Sequence, residues 1–410
     1  MTNEPVKKVL IVGCGIAGLT LAIALRQRKV EVEILEKTSK LGEVGAAISL
    51  APNSTRILQS LNFDSKRARC TDAGSYSEYN EEGVAVDFVD LHKVVEDVGA
   101  PWWLVHRADL HEELTRLATE AEDPAWGPKA ALVLDCQVVE VDTERGIVVD
   151  QHGKRYQGDL IVGADGVRSV VRQEVTGRLE EPSIYSGHSA YRSLYSVEEL
   201  LQDPVTRPFV ENPTFQNWVG KDGRRCLLYP CRDNTLLNLF APTLMNADDA
   251  VESWRAKGKT EDLIEAFKMF PERLQKLLAK DPSPALWQIR DRNPVRGWQK
   301  GKAVLIGDAA HAMLPHQGQG ASQSIEDAST LPIFLLDAPE TMNLTEKLKA
   351  FEEFRYPRVT AVQERSRAQK EGPHERLGRL PSILIWEKIY EQTAYDVREE
   401  AEAVAVNLRR

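Results

Sequence analysis

The sequence predicts an α/β fold made of pieces of a βαβ domain, an antiparallel sheet inserted between them, and a helical C-terminus. Three observations predict it. An apolar run at residues 8–12 leads through a glycine-rich turn at residues 13–18 into a helical pattern at 19–28 and a second strand at 31–36, a βαβ unit in its shortest form. Between residues 183 and 288 the pattern changes to short alternating runs (189–195, 214–219, 226–231 and 236–241) separated by turn-rich stretches, as an antiparallel sheet requires. From Leu344 onward the chain is charged and helical, with a loop around residues 372–381 and an amphipathic helix near 383–408 that reads as packing.

Length and composition narrow the function. At 410 residues the chain exceeds one ordinary core, so two interleaved domains are expected, with room to bury a large cofactor. With 42% hydrophobic and 28% charged residues and no repeat, it is neither disordered nor fibrous. A net charge of -10 without a basic patch argues against nucleic acid. The five cysteines are scattered without metal-ligand spacing, so free thiols in a reducing compartment and no metal are expected. A polar start running straight into the first strand, and no apolar stretch near the ~18 residues of a membrane span, predict no signal peptide, no membrane contact and a cytoplasmic location.

Three further segments complete the βαβ domain. A Trp pair at 102–103 leads into His106-Arg107-Ala108-Asp109 and a helix with apolar positions Leu110, Leu114, Leu117 and Ala118, for which Asp109 is a candidate cap. Residues 158–166 and 303–306 are apolar strands ending in turns, the second in Gly307-Asp308.

Gly13-Cys14-Gly15-Ile16-Ala17-Gly18 has the G-x-G-x-x-G spacing of a dinucleotide fingerprint, and it follows a strand, opens a helix and precedes Glu36 at the end of the next strand. Gly13 permits the tight turn, Gly15 lets backbone approach a pyrophosphate, and Gly18 allows close helix–strand packing. The helix N-terminus favours the negative charge, and Glu36 accepts from ribose hydroxyls while repelling a 2′-phosphate. The spacing alone fits NAD and FAD equally.

Residues 159–169 (Asp-Leu-Ile-Val-Gly-Ala-Asp-Gly-Val-Arg-Ser) resemble the second flavin motif of single-component aromatic hydroxylases, and Gly307-Asp308-Ala309-Ala310-His311 with Pro315 resembles their third. With the fingerprint these form a triple signature across the first 370 residues or so, similar to the salicylate hydroxylase-like branch of the FAD-dependent monooxygenases. The resemblance implies a Rossmann-like FAD-binding domain over 1–70, 101–182 and 289–370, an inserted substrate domain over 71–100 and 183–288, and a helical tail over 371–410. It also implies FAD contacts from Gly13, Gly15, Ile16, Ala17, Gly18, Glu36, Lys37, Ala47, Arg107 and Val138. Asp165 would lie near both FAD and the NAD(P)H route, and Asp308 would bind the ribityl chain or ribose. Gly318, Gly320 and Ala321 would bring backbone N–H groups to the isoalloxazine pyrimidine edge, where they stabilise negative charge on the reduced ring. The loop at residues 43–48 and Pro52-Asn53 match the branch beside the flavin.

By the same resemblance His316 lies near substrate and flavin, and Ala190-Tyr191-Arg192 and Tyr229-Pro230-Cys231-Arg232 are strands facing the flavin. Arg192 would hold a phenolate or carboxylate and Tyr229 would bond a phenolic oxygen and help carry its proton, with Arg232 or His316 next in line for the anion. Salicylate hydroxylases use a basic residue after the strand at 236–241, where this chain reads Pro242-Thr243-Leu244-Met245, so salicylate itself is not indicated. Trp102, Trp103, Phe215, Trp218 and Phe240 are candidates to line a larger pocket. The implied reaction uses NADH or NADPH as a transient cosubstrate, O2 and a flavin C4a-hydroperoxide to hydroxylate a phenolic or carboxylated aromatic, with decarboxylation where the ring carbon bears a carboxylate. Epoxidation of an indole or alkene is the alternative within the fold, and a flavin-binding protein without turnover the alternative outside it.

Overall fold

The computed structural model describes residues 5–42, 46–177, 183–244, 257–370 and 390–409. Its centre is a six-stranded sheet in the order Gln299–Lys300, Ala303–Leu305, Leu160–Gly163, Lys8–Val12, Glu31–Leu35, Ala131–Val133, parallel except for the first strand. Leu10 lies beside both Ile161 and Glu33, so the opening strand is the middle of the sheet. Its Val9-Leu10-Ile11-Val12 run is buried on both faces, as a central parallel strand requires. The fingerprint helix, Ile16–Gln27, starts three residues before the apolar pattern because the turn glycines bring Ile16 and Ala17 into its first turn. It is sandwiched and therefore buried all round from Ala17 to Arg26. The buried guanidinium of Arg26 is satisfied by carbonyl oxygens of Leu117, Ala121 and Pro128.

A second sheet has seven strands in the order Ala285–Asp291, Ile184–Ser196, Leu236–Leu244, Arg225–Cys231, Phe215–Val219, Ser75–Tyr79, Ala85–Asp90. It is antiparallel except where Phe215–Val219 runs parallel to Ser75–Tyr79. Strand alternation sorts its two faces. Tyr191, Tyr195, Leu237, Leu239 and Trp218 point into a core roofed by the helices Thr260–Ala266 and Glu272–Leu278. The other face carries Arg192, Phe240 and Leu227 in one row and Asn238, Tyr229 and Phe215 in the next.

A small antiparallel sheet of Ala47–Leu50, Trp103–His106 and Thr71–Asp72 has Ala47 opposite His106, and it packs with Tyr229, Leu91 and Cys231 in a separate small core. The last helix, Val397–Asn407, packs on Gly320–Leu336 through Val397, Ala401 and Ala405. The expected loop at 372–381, and the start of the helix expected near 383, lie outside the described residues. No described helix is long and apolar enough to cross a membrane.

Two local expectations are corrected. The helix Arg107–Thr119 begins after His106, with no side-chain cap. Asp109 lies inside its first turn and pairs instead with Arg232, Oδ2 accepting from Nε at 2.8 Å and Oδ1 from Nη2 at 2.6 Å. That pairing also removes Arg232 from the groups available to an anion.

Candidate active site

The three motifs converge on the fingerprint turn. Gly13 has φ +106, and a Cβ there would lie 2.4 Å from the Ala164 carbonyl oxygen and 2.9 Å from the Asp165 Cα, so the second motif crosses directly against the turn. A Cβ on Gly18 would lie 2.2 Å from the Gly13 oxygen, and one on Gly307 would lie 2.9 Å from the Cβ of Ala17, which packs the third motif on the fingerprint helix. Gly15 differs, since nothing lies within 4 Å of its missing Cβ. With no side chain capping the helix that follows, this open point at an N-terminus could receive a phosphate.

The Cys14 peptide is held from both sides. Its N–H donates to Glu36 Oε2 at 2.8 Å, and its carbonyl accepts from His111 Nε2 at 2.7 Å, which requires the Nε2–H form of that imidazole. Glu36 Oε1 accepts from the Thr38 N–H at 2.9 Å. Its carboxylate therefore stands against the fingerprint, where a ribose would follow the pyrophosphate. Lys37 is exposed beside it, and the Cys136 N–H donates to the Glu36 carbonyl at 2.9 Å, which brings buried Val138 to the same end. Nothing in the sequence pattern marks His111, which reads as one more position on an amphipathic helix.

The second motif is built as a cap. Asp165 Oδ1 accepts from Ser169 Oγ at 2.5 Å, and Oδ2 from the N–H groups of Val170 and Val171 at 2.8 and 3.3 Å. Burial raises its pKa above the usual carboxylate value although these bonds oppose it. Arg172 ties this motif to the third, Nη1 donating to the Ala309 carbonyl at 3.0 Å and Nη2 to that of Val167 at 2.7 Å.

In the third motif Gly307 (φ +58) turns the chain into the short helix Asp308–His311. Asp308 opens that helix, is exposed, and makes no hydrogen bond or ion pair among the described residues. Gly318 (φ +61) then leads to the helix Gly320–Leu336, whose N-terminus has no side-chain cap and carries Gly320 and Ala321.

On the sheet face, Arg192 is half-buried with its guanidinium 4.4 Å from the Trp287 ring centroid and 5.0 Å from that of Phe240. Burial lowers its pKa to about 10; Tyr229 works against that shift and nearby Arg107 with it. Its Nε is buried and has no hydrogen-bond partner in the described structure. Leu314, just before His316, packs with Phe240, Ala190 and Ile289, so the segment bearing half-buried His316 lies over this face. Arg107 begins its helix with its N–H donating to the Ala46 carbonyl at 3.1 Å.

Tyr229 is placed differently from the expected proton carrier. Its hydroxyl donates to the Ala47 carbonyl at 2.7 Å, and the Ala47 N–H donates to Asn238 Oδ1 at 3.2 Å. Two side chains of one sheet thus hold one residue's backbone in another. Asn238 was detectable as the only polar residue in an otherwise apolar run, Leu236-Leu237-Asn238-Leu239-Phe240. Of the aromatic candidates, Phe240 faces Arg192, Phe215 stacks on Tyr229 at 4.7 Å, and Trp102 donates to Ser49 Oγ at 2.7 Å. Trp218 belongs to the opposite core and Trp103 packs on Phe63, so neither lines this face. The loop at residues 43–45 lies outside the described residues.

Residues 7–366 match the family described as FAD binding domain. The chain is 32% identical over 417 residues to hispidin-3-hydroxylase of Neonothopanus nambi, covering 98% of this chain and 97% of the relative. It is 32% identical over 380 residues to salicylate hydroxylase of Pseudomonas putida, covering 88% and 84%. The solved structure of Klebsiella pneumoniae HpxO complexed with FAD and uric acid superposes with a TM-score of 0.75 at 22% identity, covering 98% of this chain and 96% of that one, a likeness of fold. With its fingerprint, the open helix N-terminus that follows it and this relationship along nearly the whole chain, the protein belongs to the FAD-dependent aromatic monooxygenases of the salicylate hydroxylase-like branch.

Proposed function

We propose that this enzyme hydroxylates an anionic aromatic substrate, a phenol or carboxylated ring, with electrons from NAD(P)H and one oxygen atom from O2. The observation that carries the reading is Arg192, a cation held between the rings of Trp287 and Phe240 with a buried, unpartnered Nε among the described residues. A desolvated guanidinium is costly unless an anion completes it, and flanking rings suit a flat partner. The relatives named salicylate hydroxylase and hispidin-3-hydroxylase are, by their names, hydroxylases of salicylate and of hispidin, which supports a hydroxylation.

The residues fit FAD. Gly15 and the N-terminus of its helix would hold the pyrophosphate, Glu36, Lys37 and Val138 the adenosine end, Asp308 the ribityl chain, and Gly318, Gly320 and Ala321 the pyrimidine edge, with Ala47 and Arg107 flanking the ring. When bound, FAD accepts a hydride from NAD(P)H and, once reduced, activates O2 for transfer of one oxygen atom to the ring. The protein's part is positional. Arg192 fixes the substrate's anionic group and thereby the ring carbon that reacts, and favours the phenolate, whose extra electron density makes the ring nucleophilic. His316 borders the ring from the opposite side, Asp165 keeps the second motif folded beside the fingerprint on the NAD(P)H side, and the Leu314–Phe240–Ile289 cluster excludes water.

The test is Arg192→Lys together with Arg192→Ala, assayed on a panel of phenolic acids, phenols and indoles by NAD(P)H consumption, O2 uptake and product mass. Both variants should retain FAD, while substrate KM rises and NAD(P)H is consumed without matching product. Wild-type affinity and coupling in both variants would overturn the anion-holding role.

A further inference from the structure

An ionic cluster, fully buried except for a part-exposed Arg358, lies under the third motif. Glu326 and Asp327, adjacent in the helix Gly320–Leu336, face Arg355 and Arg358 of the helix Leu344–Lys370. Arg355 donates to Asp327 Oδ1 at 2.8 Å and to Glu326 Oε2 at 2.7 Å, and Arg358 donates to both Glu326 oxygens at 2.7 Å. Replacing such a cluster by well-packed apolar side chains often costs no stability, so stability alone does not account for it. Its outward bonds do. Asp327 Oδ2 accepts from the Gly307 N–H at 2.9 Å and is 2.5 Å from His311 Nε2. These are the residue before, and the last residue of, the four-residue helix that Asp308 opens, so one carboxylate oxygen grips both ends of the element that presents Asp308. Glu326 Oε1 accepts from Asn53 Nδ2 at 2.6 Å, and the same amide donates to Gln319 Oε1 at 3.1 Å, at the residue that starts the Gly320 helix. Arg355 further donates to Gln323 Oε1 at 2.9 Å in that helix. On the far side Arg358 donates to the Gln392 carbonyl at 3.1 Å and lies 4.1 Å from the Tyr395 ring centroid.

We propose that Asp327 and Arg355 are positioning residues for FAD, fixing from the protein interior the Gly307 turn that carries Asp308 and the Gln319 segment that opens the Gly320 helix. This rests on Asp308 as an FAD ligand. Arg355 holds Asp327 ionised and aimed, Asp327 holds the turn, and the turn sets where the Asp308 carboxylate stands.

The test is a double-mutant cycle on FAD affinity, measured by titrating flavin-free protein with FAD and following flavin fluorescence, using Asp308→Ala, Asp327→Asn and the double variant. Asp327→Asn keeps the shape but removes the charge that Arg355 and His311 address. Each single variant should weaken FAD by about tenfold or more, and the double variant should bind about as weakly as the weaker single, because both act through one carboxylate. Factors that multiply in the double variant, the result of a merely structural loss, would overturn the proposal, as would wild-type affinity in Asp327→Asn. Wild-type affinity in Asp308→Ala overturns the placement of Asp308 and the proposal with it, whereas a weakened Asp308→Ala beside an unaffected Asp327→Asn overturns the proposal alone. If Asp327→Asn does not fold, Asp327→Ser, which likewise removes the charge that grips the Gly307 turn and stays small, takes its place in the same cycle with the same readings.

Discussion

The Tyr229 hydroxyl donates to the Ala47 carbonyl at 2.7 Å, so a side chain of the seven-stranded sheet fixes the backbone of the strand Ala47–Leu50. Tyr229→Phe would keep the stacking on Phe215 and strip a buried carbonyl of its donor, costing about 1–3 kcal/mol in thermal or denaturant unfolding. Turnover should fall with no change in the shape of the pH–rate profile. A profile that loses one limb would show Tyr229 moving a proton after all.

The lowered pKa of Arg192, about 10, carries a pH prediction. Burial disfavours its charge, and an anionic ligand favours it, so affinity for a carboxylate substrate analogue should fall by roughly tenfold per pH unit above that value while staying level below it. Arg192→Gln should bind weakly at every pH with no such break. Equilibrium titrations between pH 7 and 11 on protein shown to remain folded decide this, and an unbroken wild-type curve would count against Arg192.

The fingerprint glycines should separate into two phenotypes. Gly13→Ala, with φ +106 and a Cβ 2.4 Å from a backbone oxygen, should destabilise the flavin-free protein by several kcal/mol or prevent folding. Gly15→Ala meets nothing within 4 Å, so the flavin-free protein should melt nearly as wild type while its FAD affinity drops. Melting curves with and without FAD read both, and an equal loss of stability in the two flavin-free variants would mean that the space at Gly15 is not a ligand site.

Acid stability should report on the buried cluster. Burial pushes the Glu326 carboxyl up, but Arg358 and Arg355 outweigh it and hold the group below the 4.5 of an ordinary glutamate. Its contribution is therefore complete above about pH 4.5 and is lost as pH falls through the lower folded value. Arg355→Met leaves both carboxylates short of a partner, so the acid-unfolding midpoint should move to higher pH, with a loss of about 3–5 kcal/mol at neutral pH. An unmoved midpoint in circular dichroism would show that Arg358 and His311 suffice.

Much of this was legible because it is written in local pattern. The βαβ unit, the alternating runs and the flavin turns all depend on residues close in sequence, so Gly13 could be read from spacing and Gly307 and Gly318 from the resemblance of their local motifs. What escaped depends on partners far apart. Asp109 reads as a cap because its partner, Arg232, is 123 residues away. Trp218 and Phe240 both read as pocket residues because alternation says that two faces exist without saying which one is roofed by helices. The pairing of Asp327 with Gly307 and Arg355 needs two helices to have packed first, and in sequence Glu326-Asp327 is only a charged pair in a helix.

The order of strands in the central sheet also sets a timetable for synthesis. The strand Leu160–Gly163 sits between Lys8–Val12 and Ala303–Leu305, so it gains its last parallel neighbour only after some three hundred residues have emerged from the ribosome. At ~5–20 residues per second, the strand Leu160–Gly163 waits roughly 7–28 s, the time to make the intervening 140 residues or so, for that partner. Throughout that interval Leu160–Gly163 presents an unpaired apolar edge, the kind that invites association with other chains. Expression yield should therefore respond to chaperone supply and growth temperature more than to any side chain of the active site.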